Sequence, residues 1–338
     1  MAASVTKDRV FVTGASGLLG TNVVALLARQ NYAVTALVRE RSRFVGYAHE
    51  NIRLIEGDIT NKELLTTLIK GCRYVVHIAA LTSQSLLTLD DYLPTNEWGT
   101  QCVVDASIAN RVEKLIYIGT ANTCGYGSLQ SPGSETSPMR YPFTKSLYAL
   151  SKLRAQAVID NAAAYLPVIT LSPTFMLGPF DSKPSSGRII QMALNKPVLF
   201  YPSGGKNFVH VKDVAVAVCK AFALPATGQK YILANENLSY KAFYRKVLRL
   251  NRQKSLLIPI PNWMLYVMGR LGDLCRWCKV ETEVSSVNTE ILQVLNFYDN
   301  QKARQELDMV FTPVDEAIAD YLDDISQPRS GKKVPPKR

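Results

Sequence analysis

The stretch Arg9–Gly20, RVFVTGASGLLG, constrains the fold of this chain more than any other. Val10, Phe11 and Val12 form a short apolar, partly β-branched run and predict a buried strand. Gly14, Gly17 and Gly20 follow as G-x-x-G-x-x-G, and TNVVALLARQ after them has apolar residues at helical spacing. The first glycine suits a tight turn, the second lets backbone approach a pyrophosphate, and the third lets helix and strand pack closely. The new helix then offers unpaired N–H groups and its positive dipole end to an anion. Glycines alone are a weak signal, because turns commonly carry them; the order strand, glycines, helix is what makes this one specific.

The end of the next strand, YAVTALVRERSR, carries the second half of that signal. An acid there would accept from the ribose hydroxyl of NAD, whereas an arginine suits a 2′-phosphate. Arg39 holds the place, with Arg41 and Arg43 close behind, so NADP(H) is the expected cofactor. Glu40 is adjacent, but consecutive strand residues face opposite ways, and it is not read as the ribose acid.

Further along, NIRLIEGDIT predicts a third strand ending near Asp58 and Ile59. Asp58 has two readings, an acceptor for the adenine amino group or a helix N-cap before NKELLTTLIK. Ile59 would pack on the adenine ring. RYVVHIAALTS is another buried strand, with Ala79 and Ala80 leaving room for the cofactor and His77 read as a hydrogen-bonded core residue. KLIYIGT makes a fifth strand, which brings Thr120, Asn122 and Thr123 to the same rim. Alternating strands and helices argue for α/β architecture: a Rossmann-type, doubly wound parallel sheet with a smaller, mostly C-terminal substrate domain.

In SLYALSKLRAQAVIDNAAAY, read as a long helix, Tyr148 and Lys152 lie four apart on one face. A free tyrosine, with a pKa near ~10, is a poor acid or base at neutral pH. A lysine ammonium and an oxidised nicotinamide both favour the phenolate. Such a pair beside a dinucleotide can pass a proton to or from a carbonyl oxygen while hydride moves.

These motifs together resemble the extended short-chain dehydrogenase/reductases (the NAD-dependent epimerase/dehydratase superfamily). The resemblance covers the chain to about Leu322 and is carried by TGASGLLG (13–20), GDI (57–59), HIAA (77–80), NEWGT (96–100) and YALSK (148–152). It continues in SPTFMLGP (172–179), FVHVKDVA (208–215) and FYDNQKARQEL (297–307), and VRE (38–40) looks most like the dihydroflavonol-reductase-like and 3β-hydroxysteroid-dehydrogenase-like members. It implies Tyr148 as proton donor, with Lys152 binding the nicotinamide ribose and lowering the tyrosine's pKa. Ser16, Leu18, Thr120, Pro173 and Thr174 join the three glycines, Arg39, Asp58, Ile59, Ala79 and Ala80 as cofactor contacts, and Thr82, Met176 and His210 fall on the substrate side. One departure stands out. The family has a serine or threonine four residues before the aromatic–glycine pair, and here Asn122 takes that place. Its amide can still donate to a developing oxyanion, with Thr120 or Thr123 as the alternative hydroxyl.

The implied division is a nucleotide-binding part over 1–174 and 205–232, a substrate part over 175–204 and 233–326, and a disordered basic tail at 327–338. The tail supplies five charges of the net +11 (Arg329, Lys332, Lys333, Lys337, Arg338), so the body is only moderately basic and nucleic acid is not the expected partner. Six scattered cysteines suggest a reducing cytoplasm, and C-x-x-C at Cys275 and Cys278 lacks a second pair for zinc, so no metal is expected. No secretory leader is expected, since the first residues run straight into the buried strand. Asp213 reads as an N-cap after His210.

From Asn237 to Gly272 there are seven basic residues and no acid, around the apolar LLIPIPNWMLYVMGRLG. Pro259 and Pro261 and its length rule out a bilayer span. It reads either as a core helix under a solvated basic face or as a peripheral contact, through 237–280, with the inner face of an anionic membrane. The expectation is an NADPH-dependent reductase of a ketone on a bulky, lipid-like, steroid or dihydroflavonol-like substrate, acting as a homodimer through helices near 99–110 and 146–164. The rivals are a nucleotide-sugar epimerase or dehydratase with bound NAD, for which Lys183, Arg188 and Lys206 could hold phosphate, and a non-catalytic NADP(H) sensor or scaffold.

Overall fold

The computed structural model describes residues 7–181, 186–225 and 227–327. Lys183, and the expected tail beyond Gln327, lie outside them. The chain begins β1 (Arg9–Thr13), α1 (Leu18–Arg29), β2 (Ala33–Val38), β3 (Ile52–Glu56), α2 (Lys62–Ile69) and β4 (Tyr74–His77). Then come α3 (Gly99–Ala109), β5 (Lys114–Ile118), α4 (Leu147–Ala162), β6 (Val168–Pro173) and β7 (Phe175–Leu177). After α5 (Arg188–Gln191) and β8 (Val198–Tyr201), β9 (Gly205–His210), α6 (Val211–Ala223) and β10 (Gln229–Leu233) follow.

Among the described residues β1–β6 and β10 form a seven-stranded sheet in the order β10-β6-β5-β4-β1-β2-β3. Its pairs are parallel. The order reverses at β1 and β4, and a sheet wound outward from that point leaves a crevice beyond the carboxyl ends of those two strands. Both faces are covered, which is why the strands read as continuous apolar runs. One face packs Leu19, Val23 and Leu27 of α1 with Val214, Val218 and Phe222 of α6. The other packs Leu65 and Ile69 with Val103, Ala155 and Ile159 of α2, α3 and α4. Each fully buried side chain of this kind contributes about 1.5–3 kcal/mol. Lys114 is buried at the end of α6, its Nζ donating to Phe222 O at 3.1 Å and also to Leu224 O, so it caps carbonyls the helix leaves unpaired.

The remaining elements are β11 (Glu236–Ser239), α7 (Tyr240–Leu250), β12 (Leu256–Pro259), α8 (Asn262–Trp277), α9 (Ser286–Ile291), β13 (Leu295–Asn296), α10 (Gln301–Glu306) and α11 (Val314–Ser326). A second sheet has the order β11-β9-β13, with β7 also on β9, and β12 pairs β8. Its own core joins Leu177, Phe208, Phe243, Val247 and Ile318, with the rings of Phe208 and Phe243 stacked 4.2 Å apart. β9 falls in the stretch expected with the nucleotide-binding part, yet it is hydrogen-bonded into this second sheet. Conversely Leu307, Met309 and Phe311 from the C-terminal part return to the core of the large sheet. The two parts are laced together by chain that crosses between them.

Candidate active site

The glycine turn fits a dinucleotide by what it leaves empty. Gly14 has φ +70°, and a Cβ there would sit 2.7 Å from Ala79 N. A Cβ on Gly20 would lie 2.1 Å from Gly14 O. At Gly17 the nearest atom would be 3.5 Å away, so this residue, the N-cap of α1, faces open space that a phosphate can fill. Leu18 opens the helix, and Ser16 makes no hydrogen bond among the described residues, which leaves its amide and hydroxyl for the same anion.

The close approach of Gly14 to Ala79 is held by a buried polar chain. Ile78 N and Ala79 N donate to Thr13 Oγ1 at 3.1 and 3.2 Å. That directs the Thr13 proton to His77 Nδ1 at 2.8 Å. His77 Nε2–H then faces Thr100 Oγ1 at 2.9 Å, and Thr100 donates to Asn96 O at 2.6 Å. Burial, with the Lys152 charge nearby, pushes the His77 pKa down to about 3, so the ring is neutral and structural. Asn96 in turn bonds both Leu81 N and O and donates to Ser151 Oγ at 2.8 Å on α4. Ala79 and Ala80 are therefore fixed from three directions at the mouth of the crevice.

At the end of β2 the three arginines differ. Arg41 Nη2 donates to Leu54 O at 2.6 Å, and Arg43 pairs with Glu40 at 2.6 Å. Arg39 is exposed and makes neither kind of bond among the described residues. It lies near Asp58, whose Oδ1 accepts from Thr60 N and Oγ1 at 2.8 and 2.7 Å. Those bonds, with the Arg39 charge, hold the Asp58 carboxyl below its usual range. Asp58 is not the N-cap of α2: Asn61 takes that role, its Oδ1 accepting from Leu64 N, because the Asp58 oxygen is already spent on its own turn. Ile59 is buried against Gly99, where a Cβ would come within 2.5 Å of its Cδ1.

Tyr148 and Lys152 lie on the first turns of α4, which Ser146 caps through Ala149 N. Lys152 is 3 % exposed; its Nζ donates to Ile118 O at 2.8 Å and stands 4.4 Å from the Tyr117 ring centre. No carboxylate among the described residues compensates it, and burial pushes its pKa down to about 7. The Tyr148 hydroxyl has its pKa raised by burial, countered in part by a hydrogen bond from Thr120. Burial of the phenolate thus works against the lowering expected from Lys152 and an oxidised nicotinamide. The bond from Thr120 also assigns the neighbouring hydroxyl. Thr120 Oγ1 accepts from Asn122 N at 3.3 Å, which leaves its proton for Tyr148. Thr123 Oγ1 is spent on Thr120 O at 2.8 Å, while the Asn122 carboxamide has no partner among the described residues.

Tyr148 opens into a pocket of about 190 Å³, walled by Leu86, Tyr92 and Leu147 on one side and Asp273, Arg276 and Asn288 on the other. Arg276 joins the walls: it donates to Gln84 O and Ser85 O at 3.4 and 3.3 Å, to Leu86 O, and to Thr282 O at 2.9 Å. Nothing in the local sequence around Arg276 pointed to this. Several expected residues serve the fold instead. His210, not Asp213, caps α6: its Nδ1 accepts from Lys212 N at 3.1 Å, while Nε2 meets Asp320 at 3.1 Å. With both ring nitrogens engaged and the ring buried, His210 has none to offer a substrate. Asp213 accepts from Thr312 N and Oγ1, which holds the approach to α11. Thr174 spends its hydroxyl on Asn207 and its amide on Leu233 O, beside a buried Pro173, so it is a seam residue. Met176 is half-buried on β7 and Thr82 is exposed after β4.

The family pattern described as the NAD dependent epimerase/dehydratase family matches residues 10–235. A Synechocystis sp. protein named as a dihydroflavonol 4-reductase is 26 % identical over 93 % of this chain and 94 % of its own. A Stigmatella aurantiaca 4-hydroxy-2-methyl-3-oxo-4-farnesyl-3,4-dihydroquinoline-1-oxide ketoreductase is 30 % identical over 78 % of this chain and 80 % of its own. The crystal structure of gox2253 superposes with TM-score 0.81 at 28 % identity, covering 95 % of this chain and 98 % of that one.

Proposed function

We propose, from the premise that the chain belongs to the NAD-dependent epimerase/dehydratase family, that it is an NADPH-dependent reductase of a ketone carried on a bulky, largely apolar substrate. A nicotinamide-dependent oxidoreductase of this fold is the plain consequence of family and relatives. The phosphorylated cofactor is supported by Arg39, the one arginine of its loop left unengaged at the adenosine end.

The observation that carries this reading is the place of Tyr148, in the pocket wall with the Thr120 hydroxyl at its oxygen. Burial keeps its proton on, and Thr120 donates to its oxygen. A tyrosine held protonated is an acid waiting for a stronger base, and the alkoxide that develops when a ketone is reduced is such a base. When bound at the crevice, the reduced nicotinamide supplies the hydride. Tyr148 gives its proton to the carbonyl oxygen, and the Asn122 amide would donate to that oxygen. Lys152 would hold the nicotinamide ribose with an ammonium that can shed its proton near neutrality.

The pocket is small against the ~300–1,000 Å³ that encloses drug-sized ligands, so it suits the reacting end of a molecule whose remainder lies outside. The farnesylated substrate in the name of the Stigmatella relative is of that kind. A homodimer through α3 and α4 belongs to the same reading, since Ile108, Leu153 and the preceding Trp98 leave apolar surface exposed there. A second reading, a phosphate-bearing substrate as in nucleotide-sugar enzymes, is favoured by Lys206. Its ammonium makes no ion pair among the described residues and stands 4.9 Å from the Phe175 ring centre, and desolvation lowers its pKa to about 8.

The test compares NADPH and NADH oxidation across 3-ketosphinganine, a 3-ketosteroid, a dihydroflavonol and a nucleotide sugar. Turnover of an apolar ketone with NADPH preferred, lost in Tyr148→Phe, is the expected result. Cofactor binding without turnover of any carbonyl would leave a sensor or scaffold as the better account.

A further inference from the structure

Helix α8 is amphipathic in an unusual sense: the side that faces solvent is the apolar one. Leu265, Gly269 and Gly272 point inward, and the two glycines are tight against Thr289, Ser286 and Val284. Outward stand Trp263 (67 % exposed), Tyr266, Val267, Leu271 (58 %), Leu274 and Trp277 (82 %). At 100° per residue these fall on one half of the helix, with an indole near each end. The single ionised side chain on that half is Arg270, which lies over the Tyr266 ring at 5.1 Å. β12, leading into α8, adds exposed Leu256, and its partner strand β8 adds Phe200. Soluble monomers seldom leave so much contiguous apolar surface bare without a use for it.

Charge narrows the occupant. From 237 to 280 the only acid is Asp273, and its carboxylate turns inward to accept from Ser286 N at 2.9 Å. Arg252, Lys254, Arg270 and Lys279 are exposed around the face and make no ion pair among the described residues. Trp and Tyr between apolar and wet surroundings, bordered by cations, match the headgroup layer of an anionic bilayer. No helix among the described residues is long and apolar enough to cross a membrane, so α8 would lie in the interface plane.

We infer that the outward half of α8 beds into the surface of an anionic lipid bilayer and thereby sets the mouth of the Tyr148 pocket at headgroup level. The same helix walls that pocket through Asp273 and Arg276, and Arg276 ties it to the 84–86 backbone. A lipid ketone could then present its polar end to Tyr148 while its chains stay in the bilayer. This last step rests on the reductase reading; the binding itself does not.

The experiment floats the full-length protein with vesicles of phosphatidylcholine alone or with 30 mol % phosphatidylglycerol (on the order of what makes a surface strongly anionic), at low and high salt. It uses wild type and a Leu271→Glu/Leu274→Glu variant, both checked for secondary structure and oligomeric mass. The expected result is flotation with the anionic vesicles at low salt, a blue-shifted tryptophan emission, weakening with salt, and at least tenfold weaker binding by the variant. Turnover of a water-soluble ketone should be the same in both proteins, while turnover of a vesicle-borne ketone falls in the variant alone. Absence of flotation on anionic vesicles at low salt overturns the inference, as does equal flotation by the variant. A wild-type mass that halves in the variant, without vesicle binding, would instead assign the face to a second copy of this chain. If vesicles bind but no ketone turns over, the reductase reading fails and the membrane surface stands.

Discussion

At Gly20 one added carbon would sit 2.1 Å from a backbone oxygen, whereas at Leu271 a whole apolar side chain stands in the open. The glycine cradle and helix α8 thus define two kinds of binding surface in one molecule. The cradle is shaped by its own packing before any ligand arrives, down to a hydrogen-bonded chain from Thr13 to Ser151. The α8 face has the composition of a core and the exposure of a surface, so its stability is decided by whatever covers it. The lesson is that preorganisation and incompleteness are both ways of specifying a partner.

The comparison breaks first at the seam between them, Tyr148. Tyr148→Phe should lower kcat/KM by roughly 10²–10⁴-fold with cofactor affinity within about twofold, measured by steady-state kinetics and fluorescence titration. Retained turnover would remove the proton donor from the account. Inside the cradle, Gly20→Ala should cost about 3 kcal/mol in urea unfolding because the atoms it meets are all backbone, while Gly17→Ala should fold normally and lose the dinucleotide. Equal effects at both glycines would mean that the empty space at Gly17 is not a ligand site.

The pH dependence sharpens the contrast further. Lys152 has its pKa lowered to about 7 and Lys206 to about 8, against ~10.4 in an unfolded chain. Between those values the unfolded state binds more protons, so stability of the cofactor-free protein should rise with pH from about 7 toward ~10. Lys152→Met and Lys206→Met should each flatten part of that rise, read from urea midpoints in steps across the range; unchanged slopes would mean the ammonium groups are solvated after all. Lys206→Met should also raise KM if the substrate carries phosphate and leave it alone if it does not.

Smaller effects follow at the edges. Arg39→Ala should raise the KM for NADPH about tenfold to a hundredfold and leave NADH within about twofold, since only the former has a 2′-phosphate to lose. Leu271→Ala should change unfolding free energy by no more than about 0.5 kcal/mol in the absence of lipid. A larger loss would show that α8 is packed in solution and that its exposed face is not one.

The cradle was legible because its requirements are local. A turn at φ +70° and two backbones in contact demand glycine at fixed spacing, and i,i+4 geometry puts Tyr148 above Lys152 whatever surrounds them. The alternating buried strands likewise dictated a parallel sheet. Where local readings competed, packing decided: Asp213, read as a cap, bonds Thr312 while His210 caps α6, and of the two readings of Asp58 the cap falls to Asn61.

By itself, then, the sequence determined the nucleotide turn, the order of strands and helices, and the tyrosine–lysine pair, all set by sterics within a few residues. Only the tertiary structure decided which hydroxyl stands beside Tyr148, that His210 is engaged by Asp320 across 110 residues, and that Arg276 reaches back some 190 residues to the pocket's other wall. It alone turned the apolar half of α8 outward. Such contacts depend on where distant segments meet, and loop closure leaves no periodic trace in the chain that makes them.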